Sequence, residues 1–322
     1  INGTQVMTAV GALTVYDAIR LIKYGDIAAA LSFEALNGIT TALKPQVHLT
    51  RPHKGQIDTA RILNELLEGS QMTTEQGELR VQDPYTLRCL PQIHGASKNA
   101  LNYIIDQIEV EMNSVTDNPI IFPETQEVIS GGNFHGQPMA LTFDFLGIAV
   151  AELADVAERR IERLVNPALN YGLPAFLVEG GGLNSGYMIV QYCAAALVSE
   201  NKILAHPACV DSIPSSANQE DHVSMGTISA RTARDIAENV RRVLAMEILC
   251  ACQAIDLRSQ SDAGKKGALG KGTKAAYDMV RSRIPFYDKD RELYPEINTC
   301  EELLADDSLL QAVENACGPI VF

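Results

Sequence analysis

The chain has no tryptophan, and aromatic residues fill only 6% of its 322 positions. With 46% hydrophobic residues, its apolar content is mostly Ala, Leu, Ile and Val, which suits close-packed helices. Basic residues are in deficit: 26 Lys and Arg stand against 40 Asp and Glu, a net charge of −14. Non-specific nucleic-acid binding needs basic patches, so no nucleic-acid partner is expected. No uninterrupted apolar run reaches the ~18 residues of a membrane span. No signal peptide is recognised, and no membrane association is expected. The seven cysteines are scattered and odd in number. Cys250-Ala-Cys252 has the wrong spacing for a zinc knuckle or a redox pair. The thiols therefore read as reduced core residues of a cytoplasmic protein. His48, His53, His94, His135, His206 and His222 show no metal spacing, and no metal is expected. A phosphate loop of the Gly-x-x-x-x-Gly-Lys-Ser/Thr type is missing too.

What is present is mainly helical pattern. Five long helices are expected near 4–23, 91–114, 136–164, 183–204 and 225–257, from apolar periodicity and end signals. Thr4 is a plausible cap for the first. An amphipathic helix is expected at 54–67, and two shorter ones at 275–284 and 300–316. Positions 259–273 are rich in Gly and Lys and read as a loop. The stretch 138–150 carries one charge, Asp144. A helix apolar nearly all round is buried on all sides, which calls for a bundle and for subunit contacts. Arg231–Asp235, Arg234–Glu238 and Glu238–Arg242 have the spacing of i,i+4 ion pairs. Only 117–123 and 127–130 read as strands, as one small hairpin. The fold class is all-α, a bundle of long central helices with that hairpin, and 1–322 reads as one helical part.

Four polar stretches interrupt the helices: Asn2–Gln5, Gln82–Arg88, Asn133–Gly136 and Gln219–His222. Each is expected at a helix terminus, and sites in bundles form between facing helices. Arg88 offers a planar fork suited to a carboxylate; a structural ion pair is the plainer alternative. Tyr85 can donate or accept a proton, or simply pack in a core. Glu220 can meet a basic group or move a proton, or complement a helix N-terminus. Gln82, Gln219, Asn2 and Asn133 can orient a polar substrate or serve as caps and turns. Gly131, Gly132 and Gly136 would let backbone approach a ligand, or merely shape a loop. His94 and His206 read as structural, and Cys89 has no base nearby in sequence.

Five segments match one family together, in order along the whole chain. They are Asn2-Gly-Thr-Gln5, Gln82-Asp-Pro-Tyr-Thr-Leu-Arg88, Asn113-Ser-Val-Thr-Asp-Asn-Pro119, Gly131-Gly-Asn-Phe-His-Gly136 and Asn218-Gln-Glu-Asp-His-Val-Ser-Met225. They resemble the aromatic amino-acid ammonia-lyases, and the last is most similar to the histidine branch. The resemblance implies a homotetramer whose sites draw on several subunits. It implies removal of ammonia from L-histidine to give trans-urocanate, without a metal. Because the β-proton is not acidic, the family uses an electrophile, a methylidene-imidazolone cyclised from an internal Ala-Ser-Gly; the protein positions substrate against it. Carried over, Arg88 resembles the carboxylate clamp. Tyr85 and Asn2 resemble residues beside the electrophile and the departing amine. Gln82, Asn133 and Phe134 resemble site-lining groups. Glu220, with Gln219 beside it, resembles the group that meets the imidazole.

One departure is plain: no Ala-Ser-Gly occurs in the 322 residues, and Ala96-Ser97-Lys98 is the nearest approach. In the family that tripeptide precedes the Asn-Gly-Thr-Gln motif. The chain therefore reads as the C-terminal part of such an enzyme, separated from an N-terminal part and inactive alone. Other readings stay open. A phenylalanine or tyrosine lyase, or an aminomutase, uses the same electrophile. A fumarase-type lyase shares long helices, but Ser215-Ser216 runs into Ala-Asn-Gln rather than a Gly-Ser-Ser-x-Met-Pro loop. A non-catalytic helical assembly subunit is the reading from a different class.

Overall fold

A computed structural model describes residues 3–322; Asn2 lies outside the described residues. In chain order the helices are α1 (Gln5–Ala35), α2 (Pro45–Leu49), α3 (Lys54–Leu66), α4 (Tyr85–Arg88) and α5 (Leu90–Met112), then, after a hairpin, α6 (Gln137–Val165), α7 (Met188–Leu204), α8 (Gly226–Gln260), α9 (Lys271–Arg283), α10 (Tyr294–Ala305) and α11 (Ser308–Cys317). The hairpin pairs β1 (Ile120–Phe122) antiparallel with β2 (Glu127–Ile129), Ile121 facing Val128. Among the described residues the fold is all-α, with long helices and this one small sheet, as the composition and periodicity imply.

Two compact units divide the chain. The first holds residues 1–20, 100–151 and 200–238; the second holds 21–99, 152–199 and 239–322. In the first, α1 and α6 pack closely: a Cβ on Gly11 would fall 2.0 Å from the Phe143 ring. Thr4 sits at the start of α1, its carbonyl accepting the Thr8 N–H. Its hydroxyl does not cap the helix; it donates to Glu111 at 2.5 Å. The expectation that 138–150 is buried all round fails within this chain. Leu141, Phe145 and Ile148 are 57%, 41% and 47% exposed, an i, i+4, i+7 stripe on one face of α6.

In the second unit α1, α6 and α8 supply a deep core. Ala28, Leu31, Phe33, Ala154, Ile161, Leu244, Ile248 and Leu249 are fully buried. Charges enter that core only with partners. Arg160 gives Nε and Nη2 to the two Glu247 oxygens at 2.5 and 2.9 Å, and Ser32 adds a hydrogen bond at 2.6 Å. Asp26 accepts from the Lys98 ammonium at 2.5 Å and bonds the His94 ring at 2.8 Å. Helix α1 is long and apolar enough, by length and composition, to cross a membrane. Its second half is instead core helix, burying Asp26 and Glu34 along with its apolar residues.

Several expected boundaries shift. α1 runs on to Ala35 rather than stopping at 23, because Gly25 faces the His94 ring and Leu153 at ordinary contact distance while Asp26 finds its buried partners. The helix expected over 300–316 is two helices, divided where Asp307 adopts φ 62° and Asp306 accepts the Ser308 N–H. α9 begins four residues early, at Lys271, on a Gly270 cap. Arg234 does pair with Glu238, at 4.0 Å, but Arg242 turns to Glu301 of α10.

Candidate active site

Three of the four polar stretches precede a helix, as expected: Gln82–Arg88 before α5, Asn133–Gly136 before α6 and Gln219–His222 before α8; the remaining one, Asn2–Gln5, lies partly outside the described residues. The predicted residues fall into two groups. Gln82, Tyr85 and Arg88 belong to the second unit; Asn133, Phe134, Gln219 and Glu220 belong to the first.

In the second unit Pro84 sets extended backbone before α4, one helical turn that carries both Tyr85 and Arg88. Arg88 donates Nε to the Asp83 carbonyl at 3.2 Å, and its guanidinium lies 5.0 Å from the Tyr85 ring centre. Among the described residues no acceptor engages its terminal nitrogens. The fork is thus oriented from behind and open at its tip, the state in which it can take a carboxylate. Tyr85 is 69% exposed, so its phenol is presented rather than buried in a core. Gln82 and Arg88 line an open cavity of about 260 Å³ together with Ile39, Val47 and Val81.

Sequence reasoning assigned no role to Asp83, which holds this segment. Its Oδ2 accepts the Ile39 N–H at 2.6 Å and its Oδ1 accepts Arg80 Nε at 2.6 Å. Arg80 in turn donates to the carbonyls of Leu36 and Asn37 and stacks 4.1 Å from the Tyr171 ring centre. In the sequence Asp83 shows only as an acid before a proline, as an ordinary turn residue does.

In the first unit the loop ahead of α8 is tightly closed. Ser215 N–H donates to the Glu220 carbonyl at 2.9 Å and Glu220 N–H returns to the Ser215 carbonyl at 3.3 Å. Between them Ser216, Ala217 and Asn218 have φ of 49°, 54° and 69°. Three successive non-glycine residues in the left-handed region cost about 1–2 kcal/mol each. Such strain is held by surrounding bonds: Ser212 Oγ accepts the Val223 N–H at 2.7 Å and donates to its carbonyl at 3.1 Å. Glu220 is exposed, with Oε2 bonded to Ser215 Oγ at 2.5 Å. Gln219 is exposed beside it. Ser224 Oγ accepts the Gly226 N–H at the start of α8.

The loop ahead of α6 presents Asn133, whose amide donates to the Val115 carbonyl at 3.4 Å, and Phe134, 36% exposed. A Cβ on Gly131 or Gly132 would meet nothing within 4 Å, whereas one on Gly136 would strike Met7 at 2.6 Å. Gly136 is therefore explained by packing and the other two are not. The sequence also offered no link between this loop and the one ahead of α8, yet His135 and His222 stack with ring centres 5.4 Å apart. Cys89 is half-buried, and no base contacts it among the described residues.

Within the second unit the Arg88 fork is open at its tip, and within the first the Glu220 carboxylate is held by Ser215. Residues 1–282 match the family described as aromatic amino acid lyase, and the chain belongs to that family. It is similar to the histidine ammonia-lyases of Alkaliphilus oremlandii, 64% identical over 98% of this chain, and of Clostridium tetani, 63% identical over 98%. The chain spans 61% of the length of each of these relatives. Among solved structures it resembles histidine ammonia-lyase from Trypanosoma cruzi, 44% identical with a TM-score of 0.89, covering 98% of this chain and 58% of that one. It also resembles tyrosine aminomutase from Streptomyces globisporus, 38% identical with a TM-score of 0.93, covering 99% of this chain and 63% of that one.

Proposed function

We propose that this chain belongs to an enzyme that removes ammonia from L-histidine to give trans-urocanate. The observation that carries the reading is Glu220: an exposed carboxylate with one oxygen held by Ser215 and the other unpartnered among the described residues. A carboxylate so placed accepts an N–H, and the imidazole ring offers one. The names of the relatives at 64% and 63% identity support histidine over phenylalanine or tyrosine.

In this reading Arg88 holds the substrate carboxylate in two parallel hydrogen bonds. Gln219, Gln82 and Asn133 orient polar edges, and Phe134 covers the ring. Tyr85 serves the departing amine, a role the family resemblance extends to Asn2. Overall the Cα–N bond breaks, one β-proton leaves and its electron pair forms the Cα=Cβ bond. The family's methylidene-imidazolone supplies the electrophile for that elimination. Its fit to this chain rests on the donor set: exposed phenol, amides and a guanidinium suit an uncharged organic group rather than a cation. None of the 322 residues is assigned to forming it, since no Ala-Ser-Gly is among them. Arg88 and Glu220 are each held by neighbours within their own unit, so each group meets its part of the substrate already oriented.

The apolar stripe of Leu141, Phe145 and Ile148, with Leu13 at 71% and Tyr16 at 60% exposure, supports a homotetramer in which such faces are covered. An aminomutase reading is favoured by one observation, the TM-score of 0.93 to tyrosine aminomutase. It predicts a β-amino acid rather than an alkene. The deciding experiment gives L-histidine, L-tyrosine and L-phenylalanine to the full-length protein carrying this sequence and follows ultraviolet absorbance and released ammonia. Urocanate from histidine, well above any product from the other two, is expected. A β-amino acid, or turnover of tyrosine or phenylalanine alone, would replace this reading. Residues 1–322 expressed alone should give only background.

A further inference from the structure

We propose that Ser215 is the positioning residue for the Glu220 carboxylate, fixing one oxygen so that the other faces the substrate ring. The inference rests on the reading of Glu220 given above and assigns the device that makes that residue selective. A glutamate on an exposed loop has several accessible rotamers, and a recognition group must hold one of them. Here the backbone supplies the constraint. Ser215 and Glu220 form an isolated antiparallel bridge, so their Cα atoms are fixed relative to each other. From that fixed point Ser215 Oγ reaches Glu220 Oε2 at 2.5 Å, a short charge-assisted bond.

The usual use of a serine at this position is ruled out by the geometry. Ser215 stands as N-cap of the short helical turn at 216–218, yet its side chain makes no cap hydrogen bond. The hydroxyl is given to the carboxylate instead of to a loop N–H. The loop is closed without it, by backbone bonds at Ser215, Asn218 and Glu220 and by the Ser212–Val223 pair below. Loss of the hydroxyl should therefore free the Glu220 side chain and leave the loop closed.

Ser215 has φ −138° and ψ −179°, an extended conformation that β-branched residues adopt without strain. Ser215→Thr and Ser215→Val are then nearly isosteric and differ in the hydroxyl. In the full-length enzyme, kcat/KM for histidine and inhibition by imidazolepropionate and phenylpropionate should be measured for both, with Glu220→Gln as reference. Thr should stay within about twofold of the parent, while Val should lose about tenfold on histidine and on imidazolepropionate affinity, the worth of one hydrogen bond to a charged group. Phenylpropionate affinity should change less than about twofold in both. Equal behaviour of Thr and Val, with Glu220→Gln still selective for the imidazole ligand, overturns the role of Ser215 alone. Glu220→Gln weakening both inhibitors equally overturns the underlying reading of Glu220. A loss in Val that falls equally on both inhibitors marks Ser215 as a structural residue and overturns the proposal too.

Discussion

The Nε2 of His135 lies 3.4 Å from the Nδ1 of His222. Gln137 N–H points at the other nitrogen of His135, Nδ1, at 3.3 Å. A backbone N–H can only donate, so Nδ1 is bare and the neutral ring carries its proton on Nε2. That proton faces the His222 carbonyl at 3.2 Å and the His222 Nδ1. His222 therefore accepts on Nδ1 and keeps its own proton on Nε2. The pair fastens the segment ahead of α6 to the segment ahead of α8.

His135→Phe keeps a ring for stacking but removes the donor. Amide exchange at Val223 and its neighbours should quicken relative to the parent, with a stability loss of about 1 kcal/mol at most for bonds this exposed. Hydrogen exchange by mass spectrometry checks it. Unchanged exchange over 211–223 would show that the pair fastens nothing.

The buried Asp26–Lys98–His94 cluster should be intolerant of single changes. Lys98→Met leaves Asp26 without its closest cation and should cost about 3–5 kcal/mol. Combining it with Asp26→Asn should cost clearly less than the sum of the two singles, because neither charge is then stranded. Denaturant unfolding of the four proteins measures the coupling, and simple additivity would show that the groups act independently.

Stability should fall as pH drops below 6.5. Burial pushes the His94 ring below its ordinary value of 6.5, against the pull of Asp26. Burial likewise lowers His48, against the hydrogen bond that its ring donates to the Ala42 carbonyl. Unfolded, both rings take up protons through that value; folded, they resist until lower pH. The unfolded state then binds more protons, and acidification favours it. Glu34 works in the opposite sense, since burial raises its carboxyl above 4.5 and the folded state protonates first as pH falls. Thermal melts from about pH 7 to about pH 5 should show Tm declining in the parent and declining less in His48→Gln. An equal slope in both would exclude His48 from the effect.

Gly55 and Gly95 mark where α3 and α5 touch through their backbones. A Cβ on Gly95 would sit 2.4 Å from the Gln56 nitrogen, and one on Gly55 would sit 2.2 Å from the Gly95 oxygen. Backbone atoms cannot step aside as a side chain can. Gly95→Ala should cost about 3 kcal/mol or more in denaturant unfolding, the upper end for overpacking. A loss under about 1 kcal/mol would mean the helices can part.

Helix identity was legible wherever apolar periodicity was strong, so α5, α6 and α8 lie within three residues of expectation. What stayed hidden depended on partners distant in sequence. Tyr24-Gly25-Asp26 reads as a helix end, and only His94 and Lys98, some 70 positions on, reveal why the helix continues. The break at Asp306-Asp307 did have a local signal, an acid-acid-Ser cap, that apolar spacing across it masked. In the candidate site, residue types pointed to Arg88 and Glu220. The groups that aim them, Asp83 and Ser215, could not be told from ordinary turn residues. Their role lies in backbone carbonyls and hydroxyl directions, which residue type does not encode.

The most direct test of the account compares Arg88→Ala and Glu220→Gln in the full-length enzyme, by kcat/KM on histidine and on one slow aromatic amino acid. Both substrates share the carboxylate, and only histidine brings an imidazole N–H. Arg88→Ala should reduce both by a similar factor, roughly 30-fold or more. Glu220→Gln should reduce histidine turnover by a comparable factor and leave the aromatic substrate nearly unchanged. Equal losses on the two substrates for Glu220→Gln would contradict the assignment of Glu220 to the imidazole, and with it the choice of histidine.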